Sequence, residues 1–150
     1  MKKMSLIDII AYPICYAYGE IWHTPKQAVS KELAEKIRKQ GVVHFGKSQH
    51  IDSILEDGML SKYAKPLCPQ EEGMSWFYLN ETDDLPEFWE IIQTKGERKN
   101  NDTIYYFEEI TDEQIAQMLV RPSDGAIVFV GDFSTSKMYA EPIAEKLNKR

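Results

Sequence analysis

The segment VVHFGKSQHIDSILEDGML at residues 42–60 decides how the rest of the chain is interpreted. Residues 42–45 form a short β-prone run. Ser48 can cap a helix over the residues that follow, and Gly58 can end that helix. The apolar residues that share one face between these two points are Ile51, Ile54 and Leu55. The segment therefore predicts a strand that leads through a turn into a short helix.

Before this segment, the sequence predicts a helix that starts at Thr24 and ends at Gly41. Thr24 is the cap, Pro25 fits the first helical position, and Gln27 is the capping-box partner. The predicted apolar stripe consists of Ala28, Leu33, Ala34 and Ile37. Residues 1–40 are therefore interpreted as an extra N-terminal helical segment, followed by a core over residues 41–150.

After this segment, strands and helices are mixed along the chain. Strands are predicted at residues 75–79, 103–107, 125–130 and 137–143, and Pro142 favours an edge position for the last strand. Helices are predicted at residues 85–92 and, behind the capping box of Thr111 and Gln114, at residues 111–119. Residues 95–102 are predicted to be a polar, exposed loop. The pattern is that of a single α+β domain over residues 1–150.

Composition limits the classes of partner. The chain has 18 basic and 24 acidic residues and a net charge of −6, without a basic cluster broad enough to coat duplex nucleic acid. We expect no membrane span, because no stretch approaches the roughly twenty apolar residues that a span needs. Cys15 and Cys68 match no zinc spacing, so no metal site is predicted. Reduced thiols and a cytoplasmic location are expected.

The segment at residues 42–60 resembles the first NAD-contacting segment of the ADP-ribosyltransferase superfamily. The similarity is to the branch of diphtheria toxin and the poly-ADP-ribose polymerases. A strand ending in His44, a helix with an Ile-Leu pair and a Gly-apolar exit carry it. WFYLNETDD at residues 76–84, followed by an apolar helix, is similar to the second segment of that branch. The resemblance covers residues 42–143 and implies a split antiparallel or mixed sheet with flanking short helices.

The resemblance implies a His-Tyr-Glu set composed of His44, Tyr78 and Glu141. His44 would bind a ribose hydroxyl, Tyr78 would stack on nicotinamide, and Glu141 would stabilise the positive charge that develops on the ribose. Trp89 or Phe88 would close the other side of the nicotinamide. The remaining cofactor-binding residues are expected to be Phe45, Gly46 and Lys47, with the amides of the last two near the pyrophosphate.

Several residues leave alternatives open. Trp76 shares a strand face with Tyr78, so either aromatic side chain can occupy the core face. Asp132 and Glu145 are rivals of Glu141 for the carboxylate. Tyr139 stands two residues before Glu141, where the arginine-directed members of the superfamily have a second acid. His50 receives no role.

The resemblance implies an enzyme that uses NAD as a substrate, a mono-ADP-ribosyltransferase of the glycosyltransferase and toxin type. It would transfer ADP-ribose to a protein or nucleic-acid acceptor, or hydrolyse NAD when no acceptor is present. The alternative is an inactive protein of the same fold that binds a partner through its acidic surface. An RNA 2′-phosphotransferase ranks last. Its site is rich in arginines, whereas this chain has four arginines in all.

Overall fold

The computed structural model describes residues 4–14, 27–64, 71–81 and 86–149. The strands are β1 (Gln27–Ala28), β2 (Val42–Gly46), β3 (Met74–Leu79), β4 (Thr103–Glu108), β5 (Leu119–Val120), β6 (Ile127–Val130) and β7 (Lys137–Pro142). Within the described residues they form one open sheet of seven strands in the order β1-β5-β6-β3-β2-β4-β7. Each pair of neighbours is antiparallel.

Helices accompany this sheet, which confirms the predicted α+β class. They are α1 (Leu6–Ala11), α2 (Lys31–Gln40), α3 (Ile51–Asp57), α4 (Pro86–Ile91), α5 (Asp112–Ala116) and α6 (Ile143–Asn148). A π-helical turn over Ile92–Gly96 and a 3-10 turn over Glu97–Lys99 continue α4.

The central strands are covered on both faces by apolar clusters. Phe77, Tyr105 and Phe107 belong to the first cluster, against which α2, α3 and α5 pack. Phe45, Tyr78 and other residues belong to the second cluster, which also contains residues of α4 and α6. Because successive side chains of a strand point to opposite faces, β2 and β4 contribute alternately to the two clusters.

The start of α2 differs from the sequence prediction. The helix begins at Lys31, and the Ser30 side chain accepts a hydrogen bond from the Leu33 amide at 3.1 Å. Gln27 and Ala28 are strand residues instead, paired with β5. The predicted start of the helix was too early, because Ser30 offers a second capping residue nearer the apolar stripe. Residues 27–40 thus contribute a strand and a helix to the core fold.

Four further elements differ from the predictions. Residues 95–99 continue the helical path where an exposed loop was expected. Ser48 does not cap α3 through its side chain. It begins a 3-10 turn over Ser48–His50, and its hydroxyl donates to Asp102 at 2.8 Å. The strand β5 was missed because two residues carry no periodicity. The helix α6 was missed because Pro142 was interpreted as the end of the last strand and not as the residue before a helix.

Other predictions are confirmed. Gly41 and Gly58 end α2 and α3 with positive φ angles of 78° and 77°. Thr111 and Gln114 form the expected capping box. The edge position of β7, which ends at Pro142, is also confirmed.

Some predictions concern residues outside the described part of the chain. These are the cap at Thr24 and Pro25, the thiols of Cys15 and Cys68, and residues 15–23 with their aromatic side chains. Among the described helices, none has both the length and the apolar character needed to cross a membrane.

The sheet opens between β2 and β3. Their register contains Val42 opposite Leu79 and Val43 opposite Tyr78, and it ends there. The first half of β3, from Met74 to Phe77, pairs with β6 on its other side. The two central strands therefore separate beyond Val43, and this opening positions the candidate site.

We expect Phe77→Ala to destabilise the fold strongly. Phe77 is fully buried, and its ring lies 5.4 Å from that of Phe107 and 4.8 Å from that of Phe133, measured between centroids. Truncation of such a side chain costs about 3–5 kcal/mol. Urea unfolding should show this loss, whereas Val130→Ala, at a position that is 42% exposed, should change stability by less than about 0.5 kcal/mol. Equal effects of the two changes would contradict the packing described.

Candidate functional site

Main-chain groups of β2 and β3 face each other across the opening. The Asn80 amide donates to the Gly41 carbonyl at 3.0 Å, so the odd-numbered residues of β2 direct their main-chain groups towards β3. By this alternation the N–H and C=O of Phe45 face the opening. The Gly131 amide bonds the Gly73 carbonyl at 3.0 Å on the β6 side, so Trp76 faces the opening from β3. The opening thus has strand-edge donors and acceptors on both sides.

A histidine ring bridges the two separated strands. Nδ1 of His44 lies 2.8 Å from the carbonyl oxygen of Trp76. Because a carbonyl oxygen only accepts, Nδ1 carries the proton, and Nε2 of the neutral ring is an acceptor. Burial lowers the pKa of His44, and the bond to Trp76 opposes this effect only in part. The ring therefore remains neutral near pH 7, in one defined tautomer.

A cavity of 680 Å³ lies at this opening. This volume is in the range of pockets that hold cofactor-sized ligands. His44, Gly46 and Lys47 line it from the end of β2, and Ser75 and Trp76 line it from β3. The opposite wall comes from the 3-10 turn before α3, from α3 and from the segment after it. It includes His50, Ser53, Met59, Leu60 and Tyr63. Glu71 is the carboxylate among its described lining residues.

Tyr105 and Asp102 brace the end of β2. The Tyr105 hydroxyl donates to the Lys47 carbonyl, and a Cβ added to Gly46 would lie 3.0 Å from the Tyr105 ring. Burial, followed by the charge of Asp102, raises the pKa of Tyr105 to about 12. The Asp102 carboxylate accepts from the Ser48 amide at 2.7 Å. These contacts fix the turn that leads from His44 into α3.

The other wall of the pocket is tied to the β6–β7 connection. The Met59 amide donates to the Phe133 carbonyl at 2.7 Å, and the Phe133 amide returns a bond of 2.9 Å to the Met59 carbonyl. Asp132 accepts from the amide and the hydroxyl of Ser61 at 2.7 and 2.9 Å. These bonds lower the pKa of Asp132. Asp132, a rival for the catalytic carboxylate in the sequence, therefore holds the wall.

The structure does not bring His44, Tyr78 and Glu141 together, contrary to the sequence-based expectation. His44 lies on the sheet face of Phe77 and Tyr105, with ring centroids 5.9 and 6.2 Å away. Tyr78 and Trp89 are buried in the cluster on the opposite face. The expectation failed because Tyr78 stands at an alternation that points its ring away from the pocket.

Glu141 occupies the edge strand, two strands from His44. It pairs with Ile104, whose side chain belongs to the second cluster. Its carboxylate accepts from the Tyr106 hydroxyl and from Nζ of Lys149, the latter at 3.2 Å. Glu145, the remaining rival, is exposed on α6. Of the predicted cofactor-binding residues, His44, Gly46 and Lys47 line the pocket, and Phe45 contributes its main chain only.

A polar cluster lies under β3 on the face of Tyr78. Asp124 accepts from Nε and Nη2 of Arg121 at 2.9 and 2.7 Å, and from the Tyr78 hydroxyl at 3.2 Å. Nζ of Lys95 is 3.5 Å away. Burial disfavours the Asp124 anion, but the bonds from Arg121 and from the Ala126 amide outweigh it, and the pKa falls to about 2.

Sequence reasoning missed several of these residues. Trp76 was considered only as a core alternative to Tyr78, and nothing in the sequence signalled its carbonyl oxygen as the partner of His44. His50 received no role because no partner spacing accompanied it, and Glu71 carried no local pattern because it reaches the pocket from a connection distant in sequence. Comparisons of the chain with protein-family models, with curated proteins and with solved structures give no match. A function for the chain is therefore inferred from the geometry of the described residues.

The low pKa of Asp124 predicts a specific loss of stability in acid. The folded-state pKa of about 2 lies below that of an unfolded aspartate, near 4. Ionised Asp124 therefore stabilises the fold above pH 4, and this contribution of roughly 2 kcal/mol disappears as the pH falls from about 4 to about 2. Urea unfolding of the wild-type protein and Asp124→Asn should show a difference in unfolding free energy that shrinks over this range. A difference that is the same at pH 5 and pH 2 would contradict the assignment.

Proposed function

We propose that the chain binds NAD in the opening between β2 and β3 and transfers ADP-ribose to a macromolecular acceptor, or hydrolyses NAD when none is present. The observation that carries this proposal is the separation of the two central strands beside His44, over a cavity of nucleotide size. The resemblance of residues 42–143 to the ADP-ribosyltransferase superfamily implies a split sheet with a histidine at this position. The pocket geometry supports the same ligand through three separate features.

The first feature is the pair of open strand edges. A primary carboxamide has one acceptor oxygen and two donor hydrogens, and the main chain of a strand offers one N–H and one C=O side by side. Phe45 directs both groups into the opening by the alternation of β2. The carboxamide of nicotinamide can therefore pair with Phe45 in the way that a neighbouring strand would.

The second feature is the tautomer of His44. Its Nδ1–H is engaged by the Trp76 carbonyl, so Nε2 is the ring atom left to accept a hydrogen bond. A sugar hydroxyl is the natural donor to a neutral imidazole nitrogen. His44 thus suits a ribose better than a phosphate, because a neutral ring offers no charge to an anion.

The stacking partner that the resemblance implies does not come from β3. Trp76 is a lining residue of the pocket, but its indole packs with Tyr78 against the second cluster, because residues two apart share a strand face. We therefore assign the stacking of nicotinamide to neither Trp76 nor Tyr78.

The third feature is the carboxylate of Glu71. Cleavage of the nicotinamide–ribose bond builds positive charge on the ribose, and a nearby carboxylate lowers the energy of that transition state. Glu71 lines the pocket, whereas Glu141 lies on the edge strand, on the face of the second cluster. We assign the stabilising role to Glu71.

A second candidate is an inactive relative that binds a nucleotide or a protein without turnover. The position of Glu141 favours it, because the carboxylate that the resemblance implies is occupied elsewhere. The net charge of −6 suits a basic partner. The two candidates differ in whether nicotinamide is released.

We expect Glu71→Gln to retain NAD binding within about twofold and to lose nicotinamide release by at least about a hundredfold, as expected when one group that stabilises a transition-state charge is removed. Calorimetry gives the affinity, and chromatography of free nicotinamide gives the rate. His44→Ala should weaken binding by about tenfold through the lost hydrogen bond and contacts. Glu113→Gln, an exposed change on α5, is the matched control and should change neither.

The outcomes separate the candidates. Failure of the wild-type protein to bind NAD at millimolar concentration would refute the proposal. Binding without release, with or without cell lysate as a source of acceptor, would favour the inactive binding protein. Loss of release in Glu141→Gln and not in Glu71→Gln would return the catalytic role to Glu141.

A further inference from the structure

The polar cluster under β3 contacts the ring of Trp76, a residue that also lines the pocket. The guanidinium carbon of Arg121 lies 4.7 Å from the centroid of the Trp76 ring. This is a cation–π distance, and the Arg121 side chain is only 15% exposed. Arg121 therefore covers one face of the indole.

Asp124 fixes the guanidinium in that place. Its two oxygens accept from Nε and Nη2 of Arg121 at 2.9 and 2.7 Å, a two-point bond that sets both the position and the plane of the guanidinium. Asp124 is itself held by the Ala126 amide at 3.1 Å and faces Nζ of Lys95 at 3.5 Å. The cluster is thus anchored in the turn between β5 and β6.

This turn holds β3 at two consecutive residues of one face. Arg121 covers the ring of Trp76, and Asp124 accepts from the hydroxyl of Tyr78 at 3.2 Å. Trp76 is the residue whose carbonyl oxygen receives Nδ1–H of His44, and Tyr78 is at the end of the register with β2. The turn therefore contacts β3 at the point where the pairing of β3 with β2 ends.

We propose that Arg121, held by Asp124, is a positioning residue that keeps the Trp76 carbonyl in place and thereby fixes the tautomer of His44. Without Arg121, the Trp76 ring loses the contact on its covered face, and β6 is the strand of the described chain that still pairs with β3 at residue 76. The carbonyl oxygen then leaves the line of Nδ1, and the proton of His44 distributes between the two ring nitrogens. Arg121 acts on the ligand site through Trp76, because Arg121 is not among the described residues that line the pocket.

The tautomer of His44 is the direct test. Long-range ¹⁵N–¹H correlation spectra of the imidazole distinguish Nδ1–H from Nε2–H. We expect the wild-type protein to show the Nδ1–H form, and Arg121→Gln to show a mixture of the two. Arg121→Lys, which retains the charge but loses the two-point bond, should be intermediate. Arg38→Gln, which removes an exposed arginine paired with Asp112, is the matched control and should retain the wild-type spectrum.

An unchanged His44 spectrum in a folded Arg121→Gln protein would overturn the proposal. If that protein does not fold, the same spectrum of Arg121→Lys decides, and an unchanged tautomer there would also overturn it. The spectrum needs no ligand, so it tests this inference even if NAD does not bind. Where NAD does bind, the affinity of Arg121→Gln should fall by about twofold for an equal mixture, because only one tautomer accepts from the ribose.

Discussion

The bond between Nδ1 of His44 and the carbonyl oxygen of Trp76 is the interaction on which the site depends. It joins two central strands at the point where their own register has ended. A side chain thus replaces a ladder bond, and the strands stay close without closing the gap. The same bond defines the ring as neutral and its second nitrogen as an acceptor. Shape and hydrogen-bonding character of the site therefore have one origin.

Elements on both faces of the sheet support the strands around this bond. On one face, α3 and the segment from Gly58 to Ala64 form the pocket wall, which Asp102 and Asp132 hold through Ser48 and Ser61. On the other face, the turn that carries Arg121 and Asp124 supports β3 from below. An opening in a sheet leaves strand edges that would otherwise lose rigidity, and both supports counter this.

Much of the fold could be predicted from the sequence, whereas only part of the site could. The strands around His44, Tyr78 and Tyr105 are β-prone runs, and Gly41, Gly58 and Thr111 carry cap chemistry that acts locally. His44 was recognised because strand, histidine, turn and helix are contiguous. Glu71, Asp124 and Arg121 were not, since their roles depend on which strand lies beside which. Glu141 was selected by chain order, which does not specify a sheet face.

The most direct measurement of the central claim is a titration of ¹⁵N-labelled protein with NAD, followed by the main-chain amide signals. If the opening between β2 and β3 is the ligand site, the amides of Phe45 and Trp76 shift with saturation, and those of Tyr139 and Glu141 on the edge strand do not. Shifts confined to the edge strand, or no shift at either place at millimolar NAD, would contradict the account.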